Sequence, residues 1–235
     1  MHYLKRRQIR TILACFVASS LLLAVFPHVD IYISRLFFDG SFYLARQWWT
    51  TLMHESMGYF LYLCLGSVVA LYAWNKLSKR SCCGVDGKTV VYLLLVLIVG
   101  AGLTVNVVFK DNFGRARPRD IVEFGGSRHY TPPFVISGEC GTNCSFSSGE
   151  AAGGFFPLAL LMALSRRRAL LLAAAAGFGI FVSFCRIASG AHFFSDTVVS
   201  FFVMLIVADV LYFYLAISST PALATSERPA PPLPA

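Results

Sequence analysis

The sequence predicts an all-α polytopic membrane protein with a bundle of six transmembrane helices. Three features of the sequence predict this fold class: its composition, its long runs without charged residues and the placement of its basic residues. Of the 235 residues, 57% are hydrophobic and only 14% are charged, whereas about a quarter of the residues of a soluble domain carry a charge. The deficit of charge indicates a chain solvated largely by lipid and argues against a soluble enzyme.

Long runs without acidic or basic residues mark the helices. Residues 11–29, 56–75 and 89–109 contain no Asp, Glu, Lys or Arg, and about twenty residues suffice for a helix to cross the hydrocarbon core. A backbone in lipid must satisfy its own hydrogen bonds, so these runs and three later apolar runs are expected to be helical. The predicted helices occupy residues 9–27, 57–77, 89–109, 148–165, 169–187 and 192–216.

Basic residues predict the orientation of these helices. They cluster at residues 5–10, 76–88 and 166–168, which are the N-terminus and two alternate links. By the positive-inside rule this face is cytoplasmic. Both termini are then cytoplasmic, and a site on the other face of the membrane opens outside the cytoplasm. Because topology explains the clusters, no nucleic-acid partner is expected.

The predicted membrane domain spans residues 1–218, with outer segments at 28–56 and 110–147. Aromatic and charged residues alternate in the first segment, which indicates a helix at the interface that anchors the chain or contacts a lipid. The second segment carries basic residues that the orientation rule does not explain. Its Cys140 and Cys144 favour a disulfide in an oxidising compartment, and no second ligand pair accompanies them to make a zinc site. The proline-rich residues 219–235 predict a disordered cytoplasmic tail.

Polar residues from three distant stretches all fall at outer helix ends. Cations combined with free N–H groups at a helix N-terminus suit a tetrahedral dianion such as phosphate. The outer face is therefore predicted to hold a phosphate site. The residues expected to bind phosphate are Lys110, Arg117, Ser148, Gly149 and Arg186.

Three further side chains near this site carry reactive groups. His192 and Asp196 are four residues apart, so they are expected on one face of a helix. A carboxylate that fixes the imidazole tautomer leaves the other nitrogen free to attack phosphorus and form a phosphohistidine. Glu150 is placed to protonate the leaving oxygen and then to activate water. Cations stabilise the equatorial oxygens, so neither a metal nor another cofactor is expected.

These residues resemble, in order and spacing, the three-part signature of the type 2 phosphatidic acid phosphatase superfamily. The resemblance covers residues 110–196 and implies a six-helix membrane core, a metal-independent phosphohistidine mechanism and lipid phosphate substrates in the bilayer. It also implies that His192 is the nucleophile and Asp196 its orienting partner. The three blocks are Lys110-x6-Arg117-Pro118, Ser148-Gly149-Glu150 and Arg186-x5-His192-x3-Asp196.

The sequence departs from the family pattern at three positions. Ser147 stands where the family has Pro, Glu150 where it has His, and Cys185 where it has Ser. The change at position 150 matters most, because a carboxyl must then supply the proton that an imidazole supplies in the family.

Shorter stretches resemble the bacterial lipid A phosphatase-like branch. This resemblance places lipid A first among the substrates, with undecaprenyl diphosphate and phosphatidylglycerol phosphate as alternatives. A non-catalytic phospholipid-binding relative and an anion transporter are the other functions considered. A transporter is disfavoured because the charges lie at one face and no repeat is found. The stretches are Phe124-Gly125-Gly126, Thr131-Pro132-Pro133 and Asn143-Cys144-Ser145-Phe146.

Overall fold

The computed structural model describes residues 2–79, 82–164 and 169–215, and within these residues it contains helices and no β-sheet. The all-α expectation is therefore confirmed. One helix changes type along its length: it is an α-helix from Gly87 to Leu95 and a π-helix from Val96 to Lys110. The helices are α1 (His2–Val25), α2 (His28–Arg35), α3 (Trp48–Ser78), α4 (Gly87–Lys110), α5 (Gly149–Ala163), α6 (Ala169–Ala188) and α7 (Phe194–Tyr214).

Five of the described helices are long and apolar enough to cross a membrane, namely α1 from Arg7, α3, α4, α6 and α7. The chain is a multi-pass membrane protein. The sixth predicted span, α5, has only 15 residues, fewer than the roughly 20 that a full crossing requires. It lies inside the bundle, where it packs against α4, α6 and α7. A short helix surrounded by longer ones faces protein along most of its length, as its many buried residues show.

Several predicted helix boundaries were wrong. α1 begins at His2 rather than at residue 9. α3 begins at Trp48 rather than at residue 57, so the end of segment 28–56 is helical. His54 and Glu55 interrupt the apolar pattern there, although polar side chains are tolerated where a helix leaves the hydrocarbon core. α7 begins at Phe194 rather than at residue 192.

Several sequence predictions concern other parts of the chain. Segment 28–56 begins with the short helix α2, and its interfacial position stays a prediction. Segment 110–147 is a folded loop, as predicted, with two short 3-10 turns at Pro118–Asp120 and Val122–Phe124. The basic residues 80 and 166–168 and the predicted tail 219–235 lie outside the described residues.

An aromatic cluster joins the two loop segments at the end of the bundle where α4 ends and α5 begins, which we call the site end. Phe42 packs against Phe38 and Phe124 with ring centroids about 5.3 Å apart in both cases. A side chain at Gly190, whose φ is +65°, would collide with the ring of Phe42. Segment 28–56 is thus packed over the α6–α7 turn as part of the fold.

Small residues allow α5 and α6 to approach closely. A Cβ on Gly154 would lie 3.0 Å from Val182, and one on Gly179 would lie 2.2 Å from the ring of Phe155. Phe155 is itself buried, with 5% of its surface exposed, so it has little space into which it can move. The helix contact therefore depends on glycine at position 179.

Replacing Gly179 by Ala is expected to lower the apparent melting temperature in detergent by several degrees. Overpacking of a buried contact costs about 1–3 kcal/mol. The matched control is Gly177→Ala on the same helix, where an added Cβ meets no atom within 4 Å. Equal melting temperatures for the two variants would show that α5 and α6 are not tightly packed at this point.

Candidate active site

The ends of α4, α5 and α6 and the turn before α7 meet at the site end of the bundle. Lys110 lies within electrostatic range of Arg117, Arg186 and Glu150. His192 lies within range of Arg186 and Arg117. The structure thus brings the predicted cations and the predicted nucleophile to one place from four separate stretches of chain.

The tight turn between α6 and α7 places His192 beside Arg186. The backbone N–H groups of Ala191 and His192 both donate to the carbonyl oxygen of Arg186, at 3.1 and 3.2 Å. The N–H of Arg119 donates to the carbonyl of Gly190 at 3.1 Å. The turn is therefore held both by the end of α6 and by the loop that carries Arg117.

The first turn of α5 provides the second part of the site. The Ser148 hydroxyl oxygen caps the helix by accepting from the N–H of Ala151 at 3.3 Å, and the Ser200 hydroxyl donates to the Ser148 carbonyl at 2.8 Å. A Cβ on Gly149 would lie 2.9 Å from Oδ1 of Asn106 in α4. Glycine at position 149 therefore lets the positive end of α5 lie directly against α4 near Lys110.

His192 is buried, and its ring has a defined orientation. Its Nδ1 lies 2.8 Å from the carbonyl oxygen of Ser145. A carbonyl can only accept, so Nδ1 carries the proton and the lone pair is on Nε2. Nε2 is therefore the ring nitrogen with the lone pair that the predicted nucleophile requires.

The predicted orienting partner, Asp196, contacts His192 less directly than the sequence suggested. His192 lies before α7 rather than on a helix face with Asp196, and its Nδ1 is 3.6 Å from Oδ2 of Asp196. That oxygen accepts from the Ser145 hydroxyl at 2.5 Å and from the Phe193 N–H at 2.8 Å. Ser145 thus links the carboxylate to the imidazole, with its hydroxyl on one and its carbonyl on the other.

A buried arginine that the sequence analysis left out of the site supports Asp196. Arg115, which is 1% exposed, donates to Oδ1 of Asp196 at 2.6 Å and to Oδ2 of Asp30 at 2.8 Å. Its remaining partners include the Thr131 carbonyl at 2.8 Å and the Ser195 hydroxyl at 2.8 Å. Burial opposes the charge of Arg115, but Asp196 and Asp30 outweigh it and raise the pKa of the guanidinium.

Asp30 extends the same network into α2. Its Oδ1 accepts from the Ser195 N–H at 2.8 Å and its Oδ2 from the Ser195 hydroxyl at 2.5 Å. The sequence does show that Asp30 is an aspartate in a mostly apolar stretch, three residues after Pro27. This pattern could have marked Asp30 as unusual, but it does not identify Arg115 as its partner.

Glu150 lies between a cation of the site and an imidazole from α3. Its Oε2 forms an ion pair with Nε of Arg186 at 3.2 Å. The two atoms do not meet the angle required for a hydrogen bond. Its Oε1 is 2.9 Å from Nδ1 of His54. His54 was placed in a loop by the sequence analysis and was not predicted to belong to the site.

A disulfide closes the short stretch of loop that Arg117 contacts. Arg117 donates to the carbonyl oxygen of Asn143 at 2.8 and 3.3 Å. Cys140 and Cys144, on either side of Asn143, are joined through their sulfur atoms with their Cα atoms 5.6 Å apart. Among the described residues, no group of three His, Cys, Asp or Glu side chains is arranged to hold a metal ion.

A model of the PAP2 superfamily matches residues 89–218, which include every predicted site residue. The chain belongs to the PAP2 superfamily. The predicted superfamily and the predicted class of phosphoric monoester hydrolase are confirmed.

Named relatives in the superfamily are similar along most of the chain. A lipid A 4'-phosphatase of Francisella tularensis subsp. novicida is 33% identical over 80% of this chain and 86% of its own length. A lipid A 4'-phosphatase of Rhizobium leguminosarum is 35% identical over 81% of this chain and 90% of its own length.

The crystal structure of a PAP2-type phosphatidylglycerolphosphate phosphatase from Bacillus subtilis shares the fold. It aligns with a TM-score of 0.50, covering 88% of this chain and 94% of that chain at 17% identity. At that identity the likeness shows the PAP2 transmembrane fold alone.

Replacing Asp30 by Asn is expected to lower stability by about 3 kcal/mol, because Arg115 then keeps a buried charge with one carboxylate fewer. The measurement is unfolding in detergent followed by the loss of helical signal. Asp39→Asn, at an exposed position in the same segment, is the matched control and should behave like wild type. Identical unfolding of both variants would contradict the role assigned to the Arg115 network.

The stability of the protein should also depend on pH through His192. Burial lowers the pKa of His192 from 6.5 to about 4, an effect that Arg186 and Arg117 reinforce and Asp196 opposes. Between these values the unfolded chain binds a proton at this residue and the folded chain does not. The contribution to stability is therefore complete above pH 6.5 and is lost as the pH falls towards 4.

The measurement is the apparent melting temperature at pH 7 and at pH 4.5, in wild type and in His192→Asn. The drop on acidification should be larger in the wild type, since the variant has no imidazole to protonate. Equal drops for the two proteins would show that folding does not lower the pKa of His192.

Proposed function

We propose that this protein is a metal-independent lipid phosphatase that removes phosphate from lipid A in the inner membrane, with its site facing the periplasm. The observation that carries the proposal is a buried, oriented His192 among cations from the ends of α4 and α6 and from the loop between α4 and α5. A buried neutral imidazole with a free Nε2 beside an anion site suits nucleophilic attack on a phosphate ester.

The phosphate is bound by Lys110, Arg117 and Arg186 together with the first turn of α5 at Ser148 and Gly149. The guanidinium groups suit a bidentate grip on phosphate oxygens. The N–H groups at the start of α5 add donors and the positive end of the helix dipole. These charges stabilise the equatorial oxygens of the transition state without a metal ion.

Transfer takes place in two steps. Nε2 of His192 forms a bond to phosphorus while the bond from phosphorus to the lipid oxygen breaks, and a proton reaches that oxygen by way of Glu150. A water molecule then gives a proton to Glu150 and attacks phosphorus, which breaks the bond to nitrogen and releases phosphate. Asp196 and Ser145 keep Nδ1 protonated and stabilise the positive charge that develops on the ring.

Lipid A is preferred over the other substrates on the evidence of the relatives. Proteins named lipid A 4'-phosphatase are 33–35% identical along about four-fifths of this chain, so the 4'-phosphate is the first position to test. The phosphatidylglycerolphosphate phosphatase supports the fold only. Undecaprenyl diphosphate and phosphatidylglycerol phosphate are alternative substrates for the same chemistry.

The periplasmic orientation rests on the basic clusters at the other end of the helices. Lys76, Lys79 and Lys88 lie at the link between α3 and α4, which is opposite the site end. By the positive-inside rule, both chain termini and this link are cytoplasmic. The site then opens at the periplasmic face of the membrane.

The deciding experiment measures inorganic phosphate released by purified protein in detergent with a metal chelator present. Lipid A, undecaprenyl diphosphate and phosphatidylglycerol phosphate are supplied in parallel. Lipid A should be the best substrate, and vanadate should inhibit. His192→Asn should lower the rate by more than about a thousandfold, as expected for loss of a nucleophile.

His129→Asn, in the exposed part of segment 110–147, is the matched control and should retain full activity. Undiminished release by His192→Asn would remove the proposed nucleophile. Release from one of the other lipids alone would keep the reaction and replace the substrate.

A further inference from the structure

The N-terminal extension of α3 carries an imidazole into contact with Glu150. α3 starts at Trp48, and its second turn places Nδ1 of His54 at 2.9 Å from Oε1 of Glu150. The His54 side chain is 59% exposed and that of Glu150 is 21% exposed. One end of the pair therefore faces solvent and the other faces the site.

Glu150 is surrounded by groups that require it to be an acceptor. Oε2 faces Arg186 at 3.2 Å and Oε1 faces His54, while Lys110 and Arg117 are within electrostatic range. Both oxygens of the carboxylate therefore face donors. Each turnover requires one proton for the leaving oxygen, and His54 is a neighbour that both contacts Glu150 and reaches solvent.

We propose that His54 relays this proton, and the proposal rests on the function proposed above. In the first step the Nδ1 proton of the His54 imidazolium passes to Oε1 of Glu150, and Glu150 passes a proton to the leaving lipid oxygen as the bond to phosphorus breaks. In the second step the proton lost by the attacking water returns through Glu150 to His54. Protons balance over the cycle, because the proton that His54 gives to the leaving oxygen is replaced by the proton of the attacking water.

The properties of the two side chains fit this division of roles. Imidazole is the side chain that ordinarily changes its charge near neutral pH, and His54 has the exposure needed to exchange protons with water. Glu150 lies in the first turn of α5, next to the predicted phosphate-binding residues Ser148 and Gly149. In the PAP2 signature an imidazole occupies position 150 itself. Here an imidazole reaches the same place from α3, which is a different helix.

The alternative is that the contact merely ties α3 to α5, and a leaving-group comparison separates the two roles. His54→Gln keeps a side chain that can donate to Oε1 of Glu150 but cannot relay a proton. Its first-step rate with a lipid phosphate should fall by about 100-fold, the usual effect of losing general acid catalysis. The first-step rate with p-nitrophenyl phosphate, whose leaving group needs no proton, should stay close to that of the wild type.

The first step is isolated by single-turnover release of dephosphorylated lipid and by the burst of p-nitrophenolate. His129→Gln is the matched control, because it removes an exposed imidazole from segment 110–147. A second variant, Glu150→His in the His54→Gln background, places an imidazole where the superfamily has it and should recover most of the lost rate on lipid.

Each outcome decides between the hypotheses. Equal loss on both substrates would mean a structural contact and would overturn the relay, as would an unchanged rate on lipid. Wild-type protein that releases no phosphate from any lipid would reject the proposed function itself. A loss confined to lipid and recovered by the double variant would establish the relay.

Discussion

A guanidinium buried inside a membrane protein has to be neutralised within the fold, and Arg115 meets this condition with groups from three separate stretches. Asp30 comes from α2, Thr131 from the loop and Asp196 from α7. Removing an ion of this size from water costs several kcal/mol unless its partners are in place. The cation therefore holds α2, the loop and α7 in one arrangement, and the position of His192 depends on it through Asp196 and Ser145.

Much of the fold could be predicted because lipid imposes a simple rule on the backbone. Apolar runs located the long helices of the described part of the chain, and antiparallel alternation of the helices placed three distant polar blocks at one end. The same reasoning gave a wrong start for α3, because it placed the polar residues His54 and Glu55 outside the helix, before its first residue. At the edge of a bilayer a helix continues through polar residues, and this continuation brings His54 to Glu150.

The contacts that orient the nucleophile could not be predicted, for a different reason. The ion pair between Arg115 and Asp30 joins residues 85 positions apart, and no periodicity in the sequence pairs them. The acceptor for Nδ1 of His192 is a backbone carbonyl, at Ser145. Any residue type provides a carbonyl, so the sequence carries no signal for it. Residue types thus identify the chemistry of the site, whereas the loop fold determines how the ring is held.

The charges of the site are balanced differently before and after substrate binds. Glu150 is the carboxylate that faces Arg186, and Lys110 and Arg117 lie within electrostatic range of it. Under the proposed function, a phosphate dianion brings charge that Arg186 must share, which weakens its hold on Glu150. His54 is the neighbour that contacts the other oxygen of this carboxylate. Under the proposed relay, substrate binding and proton delivery are coupled through one guanidinium, at a position where the superfamily has an imidazole.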